Sequence, residues 1–280
     1  MQRLIQLLLL SCGFSLAFGW TQAVFAKPAL ETIEETGVLT VGVRDDSPLF
    51  GYGDDNSGYC KDFADNLAGV LTENLGKTIQ VKLVTSTTQN RWDLVKDGTV
   101  QLECGPNTIT AEREQEYGIK FSQPFFVTAS QIFVKSDITE EDVKTGTIGT
   151  INGTTNAMEI QQVYPDSQTN DTYTNREQGI EAVQSGEITG FASDGILLVG
   201  TATVLQLDLN SFALATPVVN ERPFCAAYGM ILPGGEENTE WVNTVDALVD
   251  QKGEGGQIWA RWFKELSPYI DQVINSCQPQ

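Results

Sequence analysis

Four arginines, Arg44, Arg91, Arg113 and Arg176, each follow a predicted strand or open a predicted helix. Arginine presents a planar fork of N–H donors that grips a carboxylate through two parallel bonds. The chain has Lys+Arg 17 against Asp+Glu 37, so four such groups at element ends would build an electropositive pocket in a negative surface. Taken singly, each also reads as a surface ion pair. Gly153-Thr154-Thr155 sets backbone N–H groups and hydroxyls at the start of a helix, which suits an anion or a plain cap. Asp194 ends a strand, where it either receives an ammonium group or caps the next helix. This set suits the holding of a small charged molecule.

The composition narrows the alternatives. The sequence contains no histidine, which removes Ser-His and Cys-His nucleophiles and the HExxH metal site. A formal charge of -20 over 280 residues repels phosphate backbones, and no Lys/Arg cluster offers a local exception, so nucleic acid is not an expected partner. Gly76-Lys77-Thr78 lacks the upstream glycine of a phosphate-binding loop, since position 71 is Leu71. Asp54-Asp55-Asn56 lacks the spacing and terminal Glu of a calcium loop and reads as a solvated turn.

The elements that must position these residues follow from hydrophobic period. Leu39–Val43 alternates as a strand, and Phe63, Leu67, Val70, Leu71 and Leu75 recur at helical spacing up to Gly76. Strand 79–84, helix 90–96 and strand 100–104 continue the order. A second set runs through strands 131–134 and 147–151, helices 155–163 and 177–183, strand 188–192, helix 196–204 and strand 212–215. An apolar strand 228–232 and helices 240–251 and 257–266 close the chain, with Trp241, Trp262 and Phe263 read as core aromatics. Alternating strands and helices predict an α/β protein with parallel, doubly wound sheets. In such sheets ligands bind at the carboxyl ends of strands, where Arg44 and the 105–108 segment fall.

Arg3 followed by the apolar run Leu4–Phe18 and then Val24-Phe25-Ala26 reads as an export signal over residues 1–26. Leu9-Leu10-Ser11-Cys12 offers the competing reading of a lipid anchor on Cys12. Cys60, Cys104, Cys225 and Cys277 remain after the signal. An even count in an exported chain favours disulfides, with buried thiols the alternative.

Together these pieces resemble the polar amino-acid family of periplasmic solute-binding proteins that serve ABC importers, family 3, over about Gly37 to Leu266. The residues that carry the resemblance are Val41-Gly42-Val43-Arg44-Asp45-Asp46, Gly58-Tyr59-Cys60-Lys61-Asp62-Phe63, Gln89-Asn90-Arg91, Glu103-Cys104-Gly105, Thr110-Ala111-Glu112-Arg113, Phe121-Ser122-Gln123-Pro124, Gly153-Thr154-Thr155 and Phe191-Ala192-Ser193-Asp194. The resemblance implies the two-lobed type II binding-protein fold, each lobe a sheet flanked by helices, with two hinge crossovers. Lobe 1 is expected over 27–130 and 228–280, and lobe 2 over 131–227. It implies capture of an amino acid in the periplasm by a monomer, delivery to permease subunits, and no catalysis and no cofactor.

The same resemblance assigns roles. Arg113 would grip the ligand α-carboxylate with Thr108 and Thr155, and Asp194 would receive the α-ammonium. The run around Arg44 is most similar to glutamate/aspartate binders, where Arg44 and Arg91 would face the side-chain carboxylate. Thr88 and Pro106 stand where those binders have serine, and Pro106 has no N–H to donate. Arg176 falls near the place of their histidine. Cys225 and Cys277 resemble a pair that ties the C-terminal tail to the returning strand, which leaves Cys60 with Cys104. Binders of a broader polar set, sensors that present the ligand to a receptor, and exported prephenate-type dehydratases share this resemblance.

Overall fold

The computed structural model describes residues 27–250 and 254–277. The expected signal over 1–26, and with it Cys12, lies outside the described residues. The chain begins with α1 (Ala29–Thr36), β1 (Val38–Arg44) and the hairpin of β2 (Asp46–Ser47) and β3 (Gly51–Tyr52). It continues through α2 (Tyr59–Leu75), β4 (Gln80–Ser86), α3 (Arg91–Lys96), β5 (Leu102–Cys104), α4 (Ala111–Tyr117) and β6 (Ile119–Phe121). The long β7 (Phe126–Lys135) leads into α5 (Glu140–Thr145), β8 (Thr147–Ile151), α6 (Asn156–Val163), β9 (Gln168–Tyr173), α7 (Arg176–Ser185), β10 (Gly190–Asp194) and α8 (Gly195–Val204). Then come β11 (Phe212–Ala215), the hairpin of β12 (Val218–Val219) and β13 (Arg222–Pro223), β14 (Cys225–Tyr228), β15 (Ile231–Pro233), α9 (Thr239–Asp250), α10 (Glu254–Phe263) and α11 (Ser267–Cys277).

The strands form two main sheets, one per lobe, ordered β4-β1-β5-β15-β6 and β11-β7-β10-β8-β9. Neither is wholly parallel, which corrects the expectation from alternation alone. β1 runs parallel to β4 and β5, but β15 enters antiparallel between β5 and β6. β7 is antiparallel to both β10 and β11. The expected single strand 228–232 is broken at Gly229-Met230. β14 pairs with the first half of β7, whereas β15 joins the first sheet. One hydrophobic run thereby serves two sheets. β7 does the same from the other side, pairing with β14 over Phe126–Ala129 and with β10 over Ser130–Val134.

Packing explains why these elements hold still. Phe63, Leu67 and Leu71 of α2 are fully buried on the face that meets Leu39, Val41 and Val43 of β1. Trp241 and Phe263 join the same core, as their spacing predicts, and the Trp241 indole N–H donates to the Gln101 carbonyl at 2.8 Å. In the second sheet Ile132 and Val134 of β7 face one layer of helices while Phe133 faces the other, the alternation a two-sided sheet requires. Two disulfides tie together elements distant in the chain. Cys60–Cys104 joins the start of α2 to β5, and Cys225–Cys277 joins β14 to the end of α11, with Cα atoms 5.4 and 5.8 Å apart. Among the described residues no helix is long and apolar enough to cross a membrane.

Candidate functional site

Element ends from both sheets meet in one cleft, lined by Thr88, Arg91, Pro106, Thr108, Arg113, Thr154, Thr155, Asn156, Arg176 and Asp194. Arg44 ends β1 and lies behind Thr88. Its Nη2 donates to the Thr88 hydroxyl at 2.6 Å and its Nε to Asp46 at 3.3 Å. Arg91 and Arg176 are the first residues of α3 and α7, and Arg113 sits in the first turn of α4. A helix start carries partial positive charge, so three cations there oppose the helix dipoles. Local stability does not favour them at those positions, which leaves the charge itself as the feature built in.

The guanidinium groups are buried and incompletely bonded. Arg44, Arg91 and Arg176 are 1, 3 and 4% exposed, and each keeps one buried N–H nitrogen without a partner: Nη1 of Arg44, Nε of Arg91 and Nη1 of Arg176. Their existing bonds are to neutral groups apart from Asp46. Arg91 donates to Asn107 Oδ1 at 3.0 Å and the Gly153 carbonyl at 3.3 Å, and Arg176 donates to the Ser193 hydroxyl at 3.0 Å. Burial pushes the Arg91 guanidinium well below its ordinary value, and Arg44 and Arg113 push it further. Burial likewise lowers Arg176, with Asp46 opposing. Burial alone would raise the Asp46 carboxyl, yet Arg44 and Arg176 outweigh it and hold it low.

Beneath the arginines lies an acid that carried no expected role. Glu103 of β5 is fully buried, accepts from the Ser86 hydroxyl at 2.6 Å and from Asn107 Nδ2 at 2.6 Å, and raises Arg91 toward its charged form. Two glycines make room for it. A Cβ at Gly42, its register partner on β1, would fall 2.8 Å from Glu103 Cγ, and one at Gly105 would fall 2.9 Å from its Oε1. Asn107 thus relays Glu103 to Arg91, a link through a residue that gave no signal in the sequence.

On the opposite side, Asp194 occupies the residue before α8 but makes no cap bond. Its carboxylate instead accepts from the buried Tyr228 hydroxyl and from Asn156 Nδ2, the latter at 3.3 Å. The plain-cap reading of Asp194 therefore fails in favour of a carboxylate turned to the cleft. Thr155, the residue before α6, also makes no side-chain cap bond. Arg113 donates to the Thr108 carbonyl at 2.8 Å and, across the cleft, to the Gly153 carbonyl at 3.3 Å. Burial lowers Arg113 and Asp194 opposes that shift. The eight polar residues given ligand roles from the sequence thus converge, Arg44 from just behind the wall. Asp46, Glu103 and Ser193 stood in the motifs that carry the resemblance without a role of their own, and Asn107 and Asn156 were not singled out.

The bacterial extracellular solute-binding proteins, family 3, match this chain by their sequence profile over residues 39–265. The chain belongs to that family. Among individual members, it is 28% identical over 273 residues to the glutamate/aspartate import solute-binding protein of Escherichia coli (strain K12), covering 91% of this chain and 87% of that one. The glutamine-binding protein of Geobacillus stearothermophilus is 30% identical over 187 residues, 65% of this chain and 70% of its own. In structure, the L-cysteine solute receptor of Neisseria gonorrhoeae superposes with a TM-score of 0.71 at 24% identity, over 87% of this chain and 96% of that one. An ancestral amino acid-binding protein, a precursor of cyclohexadienyl dehydratase, superposes at 0.69 and 21%, over 84% and 99%. Both likenesses are of fold: two lobes, each built on a sheet, with the cleft between them.

Proposed function

We propose that this family 3 member captures an acidic amino acid, glutamate or aspartate, in the periplasm and presents it to the permease of an ABC importer. The observation that carries the reading is the set of three buried arginines, each with an unpartnered buried N–H nitrogen, lining or backing one cleft. On the side-chain half of the cleft Arg44, Arg91 and Arg176 outnumber the acids Asp46 and Glu103 by one positive charge. An amino acid with an acidic side chain carries one net negative charge and balances that set. A neutral one leaves a buried cation uncompensated. In this reading Arg113, Thr108 and Thr155 hold the α-carboxylate and Asp194 the α-ammonium. Arg44, Arg91, Thr88 and Arg176 surround the side-chain carboxylate.

Binding needs no bond to be broken, only a closed state with higher affinity than the open one. Lobe 1 is taken as 27–130 with 228–280 and lobe 2 as 131–227, hinged where β7 and β14 pair. Closure then rests on groups that touch across the cleft: Arg91 and Arg113 on the Gly153 carbonyl, and the Tyr52 hydroxyl on Glu177 Oε1 at 2.9 Å. Because neither Tyr52 nor Glu177 is among the cleft-lining residues, Tyr52→Phe is expected to speed release of every ligand by the same factor, about threefold to tenfold for one hydrogen bond. Stopped-flow dissociation of L-glutamate and L-aspartate checks this, and unequal factors would place Tyr52 in ligand recognition instead.

The deciding experiment is calorimetry of the ligand-stripped protein against the common amino acids. L-Glutamate or L-aspartate is expected to bind at least about tenfold tighter than L-glutamine, and Arg44→Ala to narrow that gap. Comparable affinities for glutamate and glutamine would overturn the acidic-ligand reading. Steady loss of prephenate in the presence of the protein would move it to the dehydratase chemistry that this fold also supports.

A further inference from the structure

The ammonium side of the cleft holds a second acid that no expected role absorbs. Glu159 lies one turn into α6 from Thr155, and its neighbours are unusual for a surface glutamate. The Asn156 amide nitrogen sits between two carboxylates, 3.3 Å from Asp194 Oδ1 and 3.4 Å from Glu159 Oε2, while also donating to Ser130 Oγ at 2.8 Å. One amide nitrogen has two hydrogens and cannot serve three acceptors fully. Asp194 also accepts from the buried Tyr228 hydroxyl and faces both Arg113 and Arg176, so of the two carboxylates it is the one better held as an anion. Two carboxylates flanking one amide repel each other in a partly dry site, and a proton on one of them relieves that repulsion.

We propose that Glu159 and Asp194 form a coupled pair that holds one proton on Glu159 in the ligand-free protein and releases it when an amino-acid ammonium group seats on Asp194. The inference rests on the assignment of Asp194 to the α-ammonium. Glu159 is a positioning residue: it acts on the ligand through Asp194 and Asn156. The proton passes to solvent and the ammonium group keeps its own, so beside the carboxylate pair one cation replaces another. Burial, then Asp194, hold the Glu159 carboxyl above the usual glutamate range, with the Ser130, Thr155 and Asn156 side chains partly offsetting them. The charged group facing the pair from lobe 1 is Arg113, which Glu159 and Asp194 both raise, and Arg176, Tyr228 and Tyr269 face Asp194.

The sign follows from linkage. A ligand that expels a proton binds more tightly as pH rises through the ligand-free Glu159 value, and its affinity is flat above it. Titration calorimetry of L-glutamate in buffers of different ionisation enthalpy, between about pH 4.5 and pH 8, reads the protons released directly. The expected result is release of a fraction of a proton up to about one, greatest on the acid side of neutrality, and absent with glutarate, which lacks the ammonium group. In Glu159→Gln the release and the pH dependence of Kd are both lost while L-glutamate still binds. Release that persists in the variant, or its absence from the wild-type protein across that range, overturns the proposal. The wild-type profile stands as a test even if the variant folds poorly. Binding of glutarate as tightly as L-glutamate would instead remove Asp194 from the ammonium, and the proposal with it.

Discussion

Arg113→Ala is expected to weaken L-glutamate binding by at least about a hundredfold, the scale of leaving one partner of a desolvated ion pair uncompensated at about 3–5 kcal/mol. In the structure Arg113 donates only to carbonyl oxygens, those of Thr108 and Gly153, and its guanidinium lies 5.4 Å from the Trp92 ring centroid. No carboxylate forms an ion pair with it among the described residues, and burial holds it below its ordinary value. It therefore costs energy in the ligand-free protein and returns that energy on meeting an anion. The same substitution is expected to leave the ligand-free Tm unchanged or slightly raised, because a strained cation is removed. Arg113→Lys, which keeps the charge and loses the fork, should fall between the two in affinity. Calorimetry and a thermal melt of each variant measure both halves. Binding within threefold of the wild-type protein would put the α-carboxylate elsewhere.

Arg113 was legible from sequence for a reason that most of its neighbours lack. It sits in a short run, Thr110-Ala111-Glu112-Arg113, whose cap is local: the Thr110 hydroxyl accepts the Arg113 N–H at 3.2 Å. Arg44 and Asp194 were legible likewise, as polar residues closing apolar strands. The helix carrying Arg113 was not, because Ala111–Tyr117 buries none of its residues and so has no apolar period to read. β9 escaped for the same reason, its sequence QTNDTY being mostly polar on an edge position. The break inside 228–232 was hidden because both halves are apolar and only the partners differ.

The missed site residues have another cause. Asn107 contacts Arg91 and Glu103, and Asn156 contacts Ser130 and Asp194, so their roles arise from juxtapositions across 16, 4, 26 and 38 positions. An asparagine in a loop, as Asn107 is, or at the start of a helix, as Asn156 is, reads as an ordinary turn or helix-end residue until its amide is placed. Glu103 is harder still. In a three-residue strand it reads as a break in an apolar run, and only the glycines facing it, Gly42 and Gly105, show that the fold was shaped to admit a buried carboxylate.

That carboxylate sets the second large effect. Glu103→Gln keeps the shape and the bonds, since an amide can offer oxygen to Asn107 and its N–H to Ser86, and removes only the charge. Arg44 and Arg91 would then lie buried with Asp46 as the remaining close acid on the lobe 1 side of the cleft. Uncompensated charge of this kind costs about 3–5 kcal/mol, and in a protein of this size each kcal/mol moves Tm by about 2–4 °C, so the ligand-free Tm is expected to fall by about 6–20 °C. An acidic ligand supplies the missing charge on binding. The rise in Tm produced by saturating L-glutamate should therefore be larger in the variant than in the wild-type protein, because binding stabilises only the folded state. If Glu103 served only to fill space, an isosteric amide would change Tm by no more than a few degrees and leave the glutamate-induced rise as it was. Differential scanning calorimetry with and without L-glutamate separates the two: a large fall that ligand restores means the cleft is held together by counting charges, and the acid in the ligand completes the count that Glu103 begins.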